Sequence, residues 1–274
     1  MTELINNPAF QGGVAPFIVA LVGALALSRL GWFWTGLAMM AGYFTTVALT
    51  IGFTLVPLTA MRKVIVIAVV ATIVGVLRDA LATRVRWLSW IVAAFGAIAV
   101  LWVIWVVVDR TPGVDGVLLA VGGVVYGGWM AYMYDHLRVQ REQIAVAATT
   151  GGLTTGLAAL LGASALLGQM GLGLGMAAAA TLVSFVGLRR GHAGAVMAVP
   201  AGVMIGVIGF AAVVYAKLPW YCLPMLAMVP LFGRLHPPQS WPTWLQALVW
   251  LAITGAPGLI AVYFTWSAEG PVPI

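Results

Sequence analysis

The chain has 274 residues, of which 63% are apolar and only 7% are charged. A soluble domain carries about 25% charged residues, so this composition excludes an ordinary soluble domain and predicts an integral membrane protein. The net charge of +6 comes from basic residues scattered through short loops, so nucleic acid is not an expected partner. Cys222 is the only cysteine, which excludes a disulfide within the chain.

Ten apolar runs follow one another along the chain. A bilayer core about 30 Å thick requires roughly 20 apolar residues per helix, and backbone groups in lipid must be paired within the segment. The runs lie at residues 13–30, 34–57, 64–81, 87–108, 114–134, 143–167, 169–188, 194–216, 219–233 and 243–266. We therefore predict an all-α polytopic transmembrane helical bundle of nine or ten spans, forming a single integral membrane domain over residues 1–274.

The third and the ninth runs are the weakest candidates for full spans. The third has only 14 apolar residues, from Val64 to Leu77, a length that also suits a re-entrant segment. The ninth is short and holds Pro224 and Pro230. The sequence leaves nine and ten spans open as alternatives.

Lys and Arg are enriched in cytoplasmic loops and so indicate the orientation of the chain. With ten spans, nine of the 13 basic residues lie on one side, and with nine spans ten of them do. Both counts place the C-terminus outside the cytoplasm of a bacterial inner membrane. They disagree on the side of the N-terminus.

Two segments half a chain apart are similar. Residues 30–42 read LGWFWTGLAMMAG and residues 167–179 read LGQMGLGLGMAAA, with six identities at an offset of 137 residues. A duplication would divide the chain into halves 1–137 and 138–274, as a five-plus-five inverted repeat of the kind found in many transporters. The alternative, which we favour, is chance similarity between two glycine-rich helices.

The second run carries the most suggestive polar pattern. Thr46, Thr50 and Thr54 are spaced by four residues, and Tyr43 lies one turn earlier, so all four are expected near one helix face. This face could line a path for an uncharged solute, or its hydroxyls could bond within the bundle, which we favour. A second threonine cluster, at residues 149–155, opens the sixth run and is a candidate to face the first.

Small residues recur at intervals of four in three runs. Such faces allow neighbouring helix backbones to approach closely, and we favour contacts within the chain over a subunit interface. The positions are Gly123 and Gly127, then Ala148, Gly152 and Gly156, then Gly202 and Gly206.

Residues suited to catalysis or to metal binding are not grouped in the sequence. The seven acidic residues fall at span ends or in loops. Asp79 lies nearest the membrane beside Arg78, and a local ion pair is the favoured account over a gate or proton site. The three histidines fall in predicted loops without the spacing of a haem or zinc site. We therefore expect no enzyme activity, no catalytic residue, no metal and no cofactor.

Two stretches resemble known membrane proteins. The segments ALLGASALLGQMGLGLGMAAA (159–179) and YAKLPWYCLPMLAMVPL (215–231) resemble uncharacterised polytopic bacterial membrane proteins, and this resemblance implies no activity. By architecture alone, ten helices in under 300 residues are also similar to the drug/metabolite transporter superfamily. That similarity would imply cytoplasmic termini, which disagrees with the charge count.

Two functions remain open. The favoured one is a non-catalytic integral membrane subunit or scaffold of a bacterial membrane complex, with the lipid bilayer and other membrane subunits as partners. The alternative is a carrier or permease for a small neutral or apolar solute.

Overall fold

The computed structural model describes residues 7–30, 34–54, 56–81, 87–188, 191–235, 238 and 240–269. Within these residues the chain is all helical and forms ten helices, the first preceded by a π-helical turn over Phe10–Val14. The helices are α1 (Ala15–Leu27), α2 (Leu37–Thr50), α3 (Ala60–Ala80), α4 (Leu88–Arg110), α5 (Val114–Leu137), α6 (Arg141–Leu161), α7 (Ala165–Leu188), α8 (Gly194–Tyr215), α9 (Cys222–Phe232) and α10 (Thr243–Glu269).

Eight of the described helical stretches are long and apolar enough to cross a bilayer, counting Phe10–Leu27 as one. The two shorter ones are α2, with 14 residues, and α9, with 11. The predicted all-α polytopic bundle is confirmed, and the protein is a multi-pass membrane protein in contact with lipid.

The third apolar run forms a helix of 21 residues that is long and apolar enough to cross a bilayer, which favours a full span over the re-entrant alternative. The helix extends beyond the apolar run because charged residues at both ends are part of it. At its start, Lys63 donates from Nζ to the carbonyl oxygen of Trp102 at 2.9 Å and lies over the ring of that residue. The long side chain of Lys63 thus finds a hydrogen-bond acceptor for its ammonium group without interrupting the helix.

The second run is shorter as a helix than the apolar stretch 34–57 that predicts it. The α2 helix ends at Thr50, and Gly52 follows with φ of +73°, in the left-handed region that stops a helix. The N–H of Gly52 bonds back to the carbonyl oxygen of Val47 at 2.9 Å. Hydropathy alone cannot detect this stop, because the residues after it remain apolar.

Successive helices run in opposite directions, so the bundle has two ends. We call end A the end at which α2, α4, α6, α8 and α10 begin, and end B the opposite one. At end A, the last turn of α3 contacts the first residues of α8 through Asp79. At end B, Gly12 lies against Gln169 of α7, and Cys222 of α9 lies 3.5 Å from Thr265 of α10. The described chain begins and ends at end B.

Helix α8 forms the centre of the bundle. Every residue from Gly194 to Ala212 is buried, and α3, α4, α5 and α6 all pack against it. None of these residues carries a polar side chain. The central helix of the described bundle is therefore buried and apolar.

Helices α6 and α7 form the closest pair in the bundle. A Cβ placed on Gly152 would lie 2.6 Å from the Cα of Gly175, and one on Gly156 would lie 2.8 Å from the carbonyl carbon of Gly171. These distances are too short for any side chain, so the two backbones touch directly.

The two similar segments of the sequence fall mainly on α2 and α7, which pack against each other. A Cβ on Gly42 would lie 2.7 Å from Cβ of Ala177. Gly31, one of the matched positions, lies outside the described residues. The division into halves 1–137 and 138–274 stays a prediction.

Candidate functional site

A buried charge network lies at end A. The Asp135 carboxylate, in the last turn of α5, is fully buried and lies 2.7 Å from Nη1 of Arg138 through its Oδ2. The same oxygen is 3.7 Å from Nη2 of Arg78 on α3 and accepts a hydrogen bond of 2.6 Å from the Ser89 hydroxyl on α4. One carboxylate therefore joins three helices.

Asp79, the next residue after Arg78, binds a fourth helix. Its Oδ1 accepts the backbone N–H of Ala195 at 2.7 Å, and its Oδ2 accepts that of Val196 at 2.9 Å. Helix starts carry unpaired N–H groups and a partial positive charge, and a carboxylate satisfies both. Gly194 has φ of +59°, and a Cβ there would overlap Oδ2 of Asp79, so this position requires glycine.

This arrangement differs from the simple local pair expected for Arg78 and Asp79. The two side chains reach different helices, Arg78 towards Asp135 on α5 and Asp79 towards the start of α8. Asp135 and Ser89 were not singled out in the sequence. A usable signal exists, because Asp135 follows an apolar run directly and has Arg138 one turn later.

The predicted polar face of the second run is only partly formed. Tyr43 and Thr46 are fully buried, and their hydroxyls have no hydrogen-bond partner among the described residues. Thr50 donates to the carbonyl oxygen of Thr46 at 2.8 Å, a bond within the helix. Thr54 lies beyond the end of α2 and is exposed, so its placement on this face is wrong.

Thr46 packs against α7 at Gly173. A Cβ on Gly173 would lie 2.8 Å from Cβ of Thr46 and would also overlap the hydroxyl oxygen of that residue. The Thr46 side chain of α2 therefore meets a glycine surface on α7.

The threonine cluster of the sixth run faces α10 rather than α2. The hydroxyls of Thr150 and Thr254 lie 3.1 Å apart, and a Cβ on Gly258 would lie 2.5 Å from the Thr154 hydroxyl. Thr149 donates to a carbonyl oxygen of its own helix. The expectation that the two clusters face each other is wrong, because α7 lies against α2.

The predicted small-residue positions lie at contacts between helices of the same chain. Gly123 and Gly127 of α5 pack against α4, with a Cβ on Gly127 2.7 Å from the Gly96 carbonyl oxygen. Gly202 and Gly206 of α8 pack against Met130 of α5. Gly152 and Gly156 contact α7 as described above, and Ala148 is fully buried.

A second feature absent from the sequence reasoning is an apolar cleft of about 920 Å³ between α5, α8 and α9. Asp115 and Trp220 line it at end B, and Trp129 lines it further along α5. The indole N–H of Trp129 donates to the carbonyl oxygen of Ala227 at 3.0 Å. This hydrogen bond joins α5 to α9.

Ligands for a metal are not grouped in the described part of the chain, where no cluster of three His, Cys, Asp or Glu side chains occurs. His136 lies in the last turn of α5 rather than in a loop, with Nδ1 2.8 Å from the carbonyl oxygen of Tyr132. His236 lies outside the described residues.

The end-A network can hold helices together, and only part of its charge reaches the surface of the bundle. Asp135 and Arg78 are buried, whereas Arg138 remains partly exposed. The cleft can accept an apolar group. Comparison with known proteins adds no assignment, since no family model, no curated protein and no solved structure matches this chain.

Proposed function

We propose that the protein is a non-catalytic integral membrane subunit or scaffold of a bacterial membrane complex. The observation that carries this proposal is the central helix α8, whose buried stretch Gly194–Ala212 presents no polar side chain to its neighbours. Transporter sites are usually built from polar groups and interrupted helices near the middle of the membrane. The backbone contacts of α6 with α7 further support a rigid body.

The buried charges support the same proposal. They lie in the last turns of α3 and α5, away from the middle of the membrane, and they are engaged by each other and by the start of α8. Ionisable groups inside membrane proteins most often mark ion or proton paths. Here they connect four helices at one end, which suits a structural role.

The test is the state of the chain in its own membrane. A tagged copy expressed from its native locus is extracted in mild detergent, purified and weighed by native mass spectrometry. A subunit is expected in one stoichiometric assembly with other polypeptides, at a mass that is not a multiple of 28.7 kDa. Recovery of the chain alone, or only with copies of itself, would overturn the proposal.

A carrier of a small neutral or apolar solute is the second candidate. It is favoured by the buried hydroxyls of Tyr43, Thr46 and Thr155, which have no hydrogen-bond partner among the described residues. Short helices such as α2 and α9 are also typical of transporter sites. A solute with one hydrogen-bonding group would satisfy such a hydroxyl.

The proposed membrane is the bacterial inner membrane, with end A in the cytoplasm. Cytoplasmic loops are richer in Lys and Arg. Among the described residues, end A holds Arg29, Arg78, Arg138, Arg141 and Arg234, and end B holds Arg62, Lys63, Arg110 and Lys217. Arg84, Arg86, Arg189 and Arg190 lie outside the described residues but between helices that meet at end A. This proposal places both ends of the described chain outside the cytoplasm.

A further inference from the structure

The cleft between α5, α8 and α9 runs along α5 from an opening beside Asp115 and Trp220 at end B, and exposed side chains such as Val125 also line it. Asp115 lies in the first turn of α5 at this opening, and Trp129 lies 14 residues further along the same helix, about 21 Å deeper at 1.5 Å per residue. Beyond the Trp129–Ala227 hydrogen bond the two helices stay together, since a Cβ on Gly233 would lie 3.2 Å from the Leu137 side chain.

This shape favours a flexible chain over a partner helix as the occupant. A transmembrane helix must cross about 30 Å of hydrocarbon, so one seated in the cleft would collide with the joined part of α5 and α9. A lipid chain that enters from end B occupies one leaflet, about 15 Å of hydrocarbon, and ends within the cleft. One leaflet together with its headgroup region is about 20 to 22 Å thick, which matches the distance from Asp115 to Trp129.

The polar atoms of Trp129 and Tyr126 are not available to an occupant of the cleft. The Trp129 indole N–H is already bonded to Ala227, and the Tyr126 hydroxyl is buried against Gly209 of α8. The remaining surface there is formed by apolar side chains such as Leu118, Val125 and Phe210. Below the opening, an occupant must therefore be hydrocarbon.

The opening itself carries one charge among its lining residues, the exposed carboxylate of Asp115. A carboxylate at the headgroup level attracts an ammonium group and repels a lipid with a net negative charge. We infer that the cleft binds one acyl chain of a phospholipid with an ammonium headgroup, such as phosphatidylethanolamine, from the leaflet at end B. This inference does not depend on the protein being a subunit of a complex.

Native mass spectrometry of the purified chain, titrated with dioleoyl phosphatidylethanolamine or dioleoyl phosphatidylglycerol, tests the site. The wild type is expected to bind one phosphatidylethanolamine about two- to fivefold more tightly than phosphatidylglycerol, the range of an exposed charge pair. Asp115→Asn is expected to bring that ratio to about one, because it removes the charge alone. Equal binding of the two lipids by the wild type would overturn the headgroup assignment.

A matched pair of variants tests the cleft. Val125 lines it and Val121, one turn earlier on α5, does not, although both side chains are more than half exposed. Val125→Trp is expected to abolish the tight binding of one phosphatidylethanolamine, and Val121→Trp is expected to retain it. If Val125→Trp does not fold, Leu118→Trp fills the same space. Equal lipid binding by the folded cleft variant and by Val121→Trp would overturn the inference. A second polypeptide that copurifies with the wild type and with Val121→Trp, but not with the cleft variant, would also overturn it, because that polypeptide would then be the occupant of the cleft.

Discussion

At the residue scale, Asp135 has the strongest effect that we expect from any single side chain. Asp135→Asn keeps the shape but removes the negative charge that faces Arg78 and Arg138. Breaking a buried ion pair costs about 3 to 5 kcal/mol, so the midpoint of thermal unfolding in detergent should fall clearly. An unchanged midpoint would show that the network contributes nothing to stability.

Removing both buried charges serves as the control for that variant. The double change Asp135→Asn with Arg78→Met should recover part of the loss, because neither charge is then left buried alone. Arg138→Met should cost less than Asp135→Asn, since Arg138 is 23% exposed in its side chain and its charge is partly solvated.

The Thr46 hydroxyl separates the two candidate functions. Thr46→Val keeps the shape, and it removes a buried group that has no partner among the described residues, so stability should stay equal or rise. Stability is measured by thermal unfolding in detergent, and solute flux in vesicles. Full stability with lost flux of a neutral solute would contradict the subunit proposal and support the carrier.

Thr54→Val is the matched control for that experiment, because Thr54 lies exposed beyond the end of α2. It should change neither stability nor flux. The sequence could not distinguish Thr46 from Thr54, since the spacing of four residues is the same and only the helix stop at Gly52 separates them.

At the element scale, the contact between α6 and α7 should tolerate no side chain. Gly156→Leu places atoms into the backbone of α7, whereas Gly187→Leu, on α7 itself, meets nothing within 4 Å. Membrane levels and gel-filtration profiles of a tagged chain should therefore collapse for the first variant and match wild type for the second. A well-folded Gly156→Leu protein would contradict this packing.

The elements also show how far sequence reasoning reaches. The all-helical fold class and the approximate positions of the ten described helices follow from hydropathy, because lipid requires long apolar helices. Helix ends and partners do not follow: α3 includes the charged residues 62 and 63, and α2 stops within an apolar stretch. The end-A network depends on contacts between residues 46 positions apart, such as Ser89 and Asp135, and no local pattern encodes that distance.

At the scale of the whole molecule, the alternation of the ten helices in the described part of the chain predicts that both termini lie on one side of the membrane. With end A in the cytoplasm, a reporter that is active only outside the cytoplasm should be active when fused after Ile274 or before Met1. The same reporter inserted at residue 139, in the end-A connection between α5 and α6, should be inactive. Activity at only one terminus would contradict the even number of crossings.

The bond between Asp79 and the start of α8 also has a consequence for biosynthesis. The two partners are 116 residues apart, so α3 leaves the ribosome long before the helix whose N–H groups it satisfies. The Asp79 carboxylate is therefore synthesised before α8. It can accept the N–H groups at the start of α8 when that helix inserts into the membrane. Were residues 138–274 synthesised alone, α8 would reach the membrane without that acceptor, and we expect the fragment to be degraded unless residues 1–137 are made in the same cell.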